Sequence, residues 1–390
     1  MRICKYTKCT GCGVCADACP KGCITFKHDK DGFYRSYVDE SVCVNCGHCK
    51  DVCPANHPYQ PNPIKKAYKA RRTDQAAAEK STSGGIAAAI SEHVIQSGGA
   101  VVGCGYDDKM LLKHSVATNR EALEAFKGSK YLQSYTAGIY RQVREQLKTG
   151  KPVLFIGSPC QVSALCKYLG REYDNLYTVD FVCHGVPSQY VFDKFLDSLD
   201  PTTRPLAVRF RNKSQGYRNK KACVEMEVGY PDRTVRNTAE AGVYRWFASS
   251  LSVRESCYAC PFVSLRRPSD ITLADYIGKD MNDEDNRVGV STVFVNSDKG
   301  VALMEAIRSE IVAESRDVAS TAERYNRLII RSPRPACRKR FFEDLPTHDY
   351  ASLVEAYSGE ATLPPKMLRR YYAMKRRFRR LLVRSGRVKR

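Results

Sequence analysis

No stretch of the 390-residue sequence approaches 18 uninterrupted apolar residues, so no membrane-spanning helix is expected. No G-x-G-x-x-G follows a strand-like run, which argues against a Rossmann dinucleotide site. The chain passes from Met1 almost directly into a cysteine-rich loop, so no cleaved leader is expected. Acidic residues are absent from Lys366 to Arg390, where twelve Lys or Arg fall. The formal charge of +21 is therefore largely a tail property, with +9 left for the first 365 residues. Nothing in the body supports base contact, and nucleic acid is not an expected partner.

Cysteine is abundant, with 18 in the chain. Between Cys9 and Pro54 one twelve-residue pattern is written twice, each copy reading C-x2-C-x2-C-x3-C-P. Three thiolates in a tight loop, with Gly11, Gly13 and Gly47 letting the backbone wrap inward, can take three corners of a 4Fe–4S cubane. The fourth cysteine opens the next helix and ligates the other cluster. This assigns Cys9, Cys12, Cys15 and Cys53 to one cluster, and Cys43, Cys46, Cys49 and Cys19 to its partner. Zinc also uses C-x2-C pairs, but it needs neither a third cysteine at that spacing nor the terminal proline. A disulfide scaffold belongs to short secreted chains. Ligand thiolates must stay reduced, so the expected compartment is the cytoplasm.

The expected fold class is α+β, in three parts. Residues 1–62 form a bacterial-ferredoxin-like domain, with a hairpin from Ile24–Phe26 and Phe33–Val38 covering the clusters. Residues 63–345 form a mixed α/β body entered through the proline-rich linker 54–63. Residues 346–390 form a basic helical tail. Within the body, strand 153–156, helix 160–169 and strand 176–182 read as a βαβ unit. Strands are also expected at 100–105, 111–118, 206–211, 222–228 and 290–295. Helices are expected at 86–94, 121–126, 137–147, 186–199 and 300–312, with irregular chain beyond about Arg331 until helix returns at 350–357 and again from Pro365.

The βαβ unit aligns the carboxyl ends of its strands on one sheet edge, where ligands bind. Cys160 follows the first strand there and Cys183 follows the second. Cys257 and Cys260 supply a C-x2-C pair, and these four thiols compose a third 4Fe–4S site. A redox-active Cys257–Cys260 dithiol, or buried cysteines without a role, are the alternatives. Cys4, Cys23, Cys104, Cys166, Cys223 and Cys337 have no partner at ligand spacing and read as core residues.

Clusters pass single electrons, so two-electron chemistry calls for a converter such as flavin. Ser83, Gly84 and Gly85 at a helix start can hold phosphate, or can simply cap that helix. Lys130 can offset flavin or phosphate charge, or lie solvated. His184, beside Cys183, is a candidate proton donor or a packed ring.

The segments STSGG, KGSKYLQS, FIGSPCQVSAL, TVDFVCHGVPS and CYACPF together resemble the coenzyme F-420 hydrogenase/dehydrogenase beta-subunit family, in the branch with an N-terminal two-cluster ferredoxin domain. The resemblance spans roughly residues 67 to 296. It implies FAD bound at the Ser83-Gly84-Gly85 helix and at the loop of Gly157, Ser158, Pro159 and Gln161. It also implies an iron–sulfur cluster in the body, and an oxidoreductase exchanging electrons between a ferredoxin-like donor and a deazaflavin or another conjugated acceptor. Many relatives carry Asp-Phe-Trp-Gly near the position of Asp275-Tyr276-Ile277-Gly278, and the missing tryptophan leaves the acceptor's identity open.

Met367, Tyr371, Met374, Phe378, Leu381 and Leu382 make one helical stripe in a field of Arg and Lys. A basic amphipathic helix suits peripheral contact with the anionic inner face of the membrane, or a solvated helix closing over the core. The expected function is an iron–sulfur flavoprotein oxidoreductase served by ferredoxin or another redox protein and by a small-molecule acceptor. A non-catalytic electron-relay subunit is the alternative, and a zinc-stabilised nucleic-acid-binding protein is a third.

Overall fold

Val153, Leu154 and Phe155 are buried, and they point alternately into two different cores. Leu154 packs among Ile86, Ile90 and Val179, whereas Val153 and Phe155 pack among Tyr140, Val143 and Leu165. A strand buried on both faces is what a helix-covered parallel sheet requires. The computed structural model describes residues 2–107, 109–213, 216–217, 225–238, 242–358 and 373–374.

In chain order the strands are β1 (Ile24–His28), β2 (Tyr34–Val38), β3 (Asn62–Pro63), β4 (Lys66–Arg72), β5 (Ala100–Tyr106), β6 (Leu112–Ala117), β7 (Val153–Ile156) and β8 (Leu176–Phe181). They continue as β9 (Ala207–Arg209), β10 (Glu225–Gly229), β11 (Thr234–Thr238), β12 (Arg266–Arg267), β13 (Ile271–Asp275), β14 (Ser291–Val295) and β15 (Ile311–Arg316). The body is organised on one eight-stranded sheet of order β15-β4-β14-β13-β8-β7-β5-β6. At its centre β13, β8, β7 and β5 run parallel. Because β14 is antiparallel to both β13 and β4, β4 shares the direction of that central set. The carboxyl ends of five strands therefore lie on one edge.

The helices Ile86–Gln96 and Asp298–Ala306 cover one face, and Ile139–Lys148 and Pro159–Leu169 cover the other. The fold is thus a ferredoxin-like N-terminal domain, with its β1–β2 hairpin, joined to a mixed parallel and antiparallel α/β body. The βαβ unit stands where it was expected.

Four expectations require correction. Residues 54–63 are not a free linker: Tyr59 N donates to Ser163 Oγ at 3.0 Å, and β3 pairs with β12. The helix expected over 300–312 stops at Ala306, and Ile311–Arg316 is an edge strand on β4. β4 and β13 have no counterpart in the sequence reading. The helix expected at Tyr350–Tyr357 is present, but the chain between it and Arg331 is not simply irregular, since Arg338–Asp344 is helical and buries Phe341 and Phe342. Apart from residues 373–374, the basic tail from Lys366 onward lies outside the described residues. None of their helices is long and apolar enough to cross a membrane.

Candidate redox site

The two cysteine loops owe their shape to left-handed glycines. Gly11, Gly13 and Gly47 have φ of 68°, 73° and 82°, a region that L side chains enter at a cost of about 1–2 kcal/mol. Gly13 and Gly47 each lead into a short helix, Val14–Ala18 and His48–Asp51, carrying Cys15 and Cys49. The structure brings Cys9, Cys12, Cys15 and Cys53 into one group. Burial, then the charges of Cys9 and Cys53, push the Cys15 thiol up to about 12, with Cys49 adding a smaller push. Burial, then Cys53, raise Cys12. A second group forms where burial, then Cys46, Cys19 and Cys43, raise Cys49. Metal binding at these thiols releases their protons, because the ligand is the thiolate.

Cys4 and Cys23, read from sequence as core or incidental residues, pack in the core of the first domain beside the ligand cysteines. Cys4 lies beside Cys53 and Cys9, which with burial hold its thiol well above the usual range, and Cys23 Sγ lies 3.4 Å from Cys19 Sγ. Neither follows ligand spacing, so the sequence carried no signal for them.

The first domain is clamped onto the body. Thr136 Oγ1 and Tyr140 Oη donate to the Cys12 carbonyl at 2.7 and 2.6 Å. Gln133 Nε2 donates to the Gly11 carbonyl at 2.9 Å.

At the sheet's carboxyl edge a third thiol group assembles from three segments. Cys160 sits in the first turn of helix Pro159–Leu169, Cys183 just past β8, and Cys257 and Cys260 in the turn around Glu255–Ala259. Burial, then Cys257, Cys160 and Cys260, raise the Cys183 thiol. Cys160 is also close enough to Cys12 to raise it, so the first and third groups are neighbours. No three His, Cys, Asp or Glu among the described residues converge on a single-ion site.

Cys160 and Cys183 line a cavity of about 570 Å³, within the range of cofactor sites. Ser83 and Gly85 line it at the start of helix Ile86–Gln96, which has no side-chain cap. Its first N–H groups and dipole remain available to an anion. Gly157, Ser158 and Gln161 line the cavity as well, although Gln161 serves mainly as a local brace. Its Oε1 accepts from Ser158 N at 2.8 Å, and its Nε2 donates to Ser134 Oγ at 2.9 Å. Gly84 and Pro159 stand off the wall. Gly84 packs on the sheet with its N–H on Ser291 Oγ at 3.0 Å, and Pro159 is buried as the first helical residue.

Lys130 reaches the cavity with Nζ donating to the Lys127 and Gly128 carbonyls at 2.9 and 3.2 Å. Burial lowers its pKa. His184 does not fit proton donation. Its Nε2 lies 3.0 Å from the Phe247 carbonyl, and Arg327 Nη2 lies 3.1 Å from Nδ1. Burial, then the Arg327 charge, push the ring down to about 3, so near neutral pH it holds no extra proton to give.

His114 was missed by the sequence reading. It lies on β6, stacked on Phe155, with Nε2 3.1 Å from the Ile156 carbonyl. That carbonyl can only accept, so Nε2 carries the proton. Nδ1 is then a buried acceptor without a protein partner, in a side chain lining the cavity. The inward-facing alternation of Leu112 and His114 was the available signal.

Residues 8–57 match the model of a 4Fe–4S dicluster domain. Residues 67–139 and 150–321 match the N-terminal and C-terminal models of the coenzyme F-420 hydrogenase/dehydrogenase beta subunit. A search of curated proteins found no match. Among solved structures, the chain is similar to one in the xenon-derivatised F-420-reducing NiFe hydrogenase complex from Methanosarcina barkeri. That alignment has 18% identity and a TM-score of 0.46, and covers 66% of this chain and 84% of that one.

Proposed function

The chain belongs to the coenzyme F-420 hydrogenase/dehydrogenase beta-subunit family, with a 4Fe–4S dicluster domain ahead of the two-part body, and from that premise we propose that it is an iron–sulfur flavoprotein oxidoreductase. Cys19, Cys43, Cys46 and Cys49 hold the cluster nearest the surface, where exposed Cys46, Val42 and Val44 can meet a ferredoxin-type donor. Cys9, Cys12, Cys15 and Cys53 hold the next. Cys160, Cys183, Cys257 and Cys260 hold a third at the cavity wall.

The observation that carries this reading is contiguity: Thr136 and Tyr140 of the body hold the Cys12 carbonyl, and Cys160 and Cys183 line the cavity. The cavity suits FAD on three counts. These are its volume, the uncapped helix start at Ser83–Gly85, and the orphan acceptor on His114. Bound there, FAD supplies the conversion between single electrons and a hydride equivalent. The chain's own groups do the rest. N–H groups of the helix start hold phosphate, Lys130 offsets negative charge, and His114 Nδ1 accepts from a ligand N–H or O–H. The Arg211–Asp275 pair, 2.5 Å apart at the cavity, faces the organic acceptor, a deazaflavin or another conjugated molecule.

Anaerobic purification with iron, sulfide and released-cofactor analysis tests the proposal. About twelve irons per chain and one flavin are expected, whereas an iron-free, colourless protein contradicts it. Turnover of an acceptor by the isolated chain separates an enzyme from a relay subunit.

A further inference from the structure

Arg254 is completely buried. Every polar contact of its side chain goes to a neutral or thiol partner. Nε donates to the Cys9 carbonyl at 2.7 Å, and Nη1 to Gln133 Oε1 at 2.9 Å. Nη2 donates to the Tyr34 carbonyl at 2.7 Å and lies 3.6 Å from Cys9 Sγ. The nearby carboxylates are taken: Asp29 pairs with Arg35 at 2.9 Å, and Glu255 with Arg334 and Arg338. No ion pair to Arg254 occurs among the described residues. A guanidinium stays charged in proteins, and a buried charge without a counter-charge is strongly unfavourable.

The backbone of Arg254 belongs to the third thiol group. Its N–H donates to the Val186 carbonyl at 2.8 Å, and its carbonyl accepts from Cys257 N at 3.0 Å. The side chain therefore crosses from the Cys257 turn to the Cys9 thiol. A rigid fork of donors suits a fixed anionic neighbour better than a mobile lysine would.

We propose that Arg254 is the built-in counter-charge of the iron–sulfur cluster held by Cys9, Cys12, Cys15 and Cys53, and that it raises that cluster's reduction potential. The inference rests on the cluster assignment proposed above. Each one-electron reduction, supplied by the ferredoxin-type donor, adds one negative charge to the cluster–thiolate unit. A fixed cation in a dry interior favours that more negative state, and net charge and hydrogen bonds to sulfur are what set cluster potentials. The middle station of the chain is thereby made the favoured resting place of the first electron.

The test is an anaerobic redox titration of the full chain followed by electron paramagnetic resonance, comparing wild type with Arg254→Gln, Arg254→Met and Arg254→Lys. With all clusters present, the neutral variants are expected to lower one midpoint by at least a tenfold change in its reduction equilibrium, which is about 59 mV for one electron. The other two midpoints stay in place, and Arg254→Lys keeps most of the wild-type value. Unchanged midpoints in the neutral variants overturn the inference while leaving the cluster assignment standing. If the neutral variants lose a cluster that Arg254→Lys retains, the counter-charge is supported through retention. Loss in all three variants assigns the side chain to hydrogen bonding and overturns it. A wild type without iron overturns the underlying assignment instead.

Discussion

The carboxylate of Asp17, in the dicluster domain, accepts from Tyr140 N at 2.9 Å in the first turn of the body helix Ile139–Lys148. Gly138 N and Arg141 N also donate to it. One domain thus caps a helix of the other, joining an anion to free N–H groups and a positive helix end. Asp17→Ala leaves those donors buried and unpaired, and is expected to reduce stability by about 1–2 kcal/mol. Denaturant titration of the full chain measures the loss. Hydrogen exchange is expected to show the Val14–Ala18 contact opening first, and an unchanged midpoint with unchanged exchange contradicts the clamp.

Gly13 and Gly47 are equivalent in the repeated pattern but not in their surroundings. A Cβ at Gly13 would stand 2.9 Å from Ala137 N, while one at Gly47 meets nothing within 4 Å. Gly47→Ala is expected to cost about 1–2 kcal/mol from backbone conformation alone. Gly13→Ala adds about 1–3 kcal/mol of overpacking against fixed backbone. Thermal unfolding of both variants decides, and equal losses contradict the docking described here.

Lys213 holds the loop before helix Ile86–Gln96 by donating to the Ala78 and Ser83 carbonyls, both at 2.8 Å. Burial, then the Arg211 charge, push its pKa from 10.5 down to about 7. The unfolded chain then holds more protons than the folded one between about pH 7 and 10.5, so stability rises with pH across that window. Anion retention at the helix start is expected to move the opposite way, weakening as pH rises through about 7 and the positive charge is lost. Flavin release measured from pH 6 to 9 checks this. Lys213→Met is expected to flatten the profile, and a flat wild-type profile rejects it.

What the sequence made legible follows the range of the interactions. The cysteine loops were readable because their ligands sit within a few residues of each other. The βαβ unit was readable because Val153–Ile156 is a short apolar run and Leu176–Phe181 is rich in aromatic and β-branched residues. β4 was not, since Lys66, Lys69, Arg71 and Arg72 leave its seven residues without an apolar run. Two of these are accommodated by partners far along the chain: Lys69 with Asp285 at 2.7 Å and Arg72 with Glu92 at 3.0 Å. β15 was misread because a helical spacing of apolar residues ran on past Ala306 into Ile311, and only pairing with β4 makes that segment a strand. Arg254 and Gln133 gave no signal, because a buried polar residue is recognised by what surrounds it.

The account depends most on electrons reaching the cavity through Cys160. The direct measurement is anaerobic reduction of the bound flavin by a low-potential ferredoxin-type donor, comparing wild type with Cys160→Ala at matched flavin content. The variant is expected to lose about four of its irons, keep the two N-terminal clusters reducible, and leave its flavin oxidised. Full iron content with flavin reduced at the wild-type rate would contradict the account.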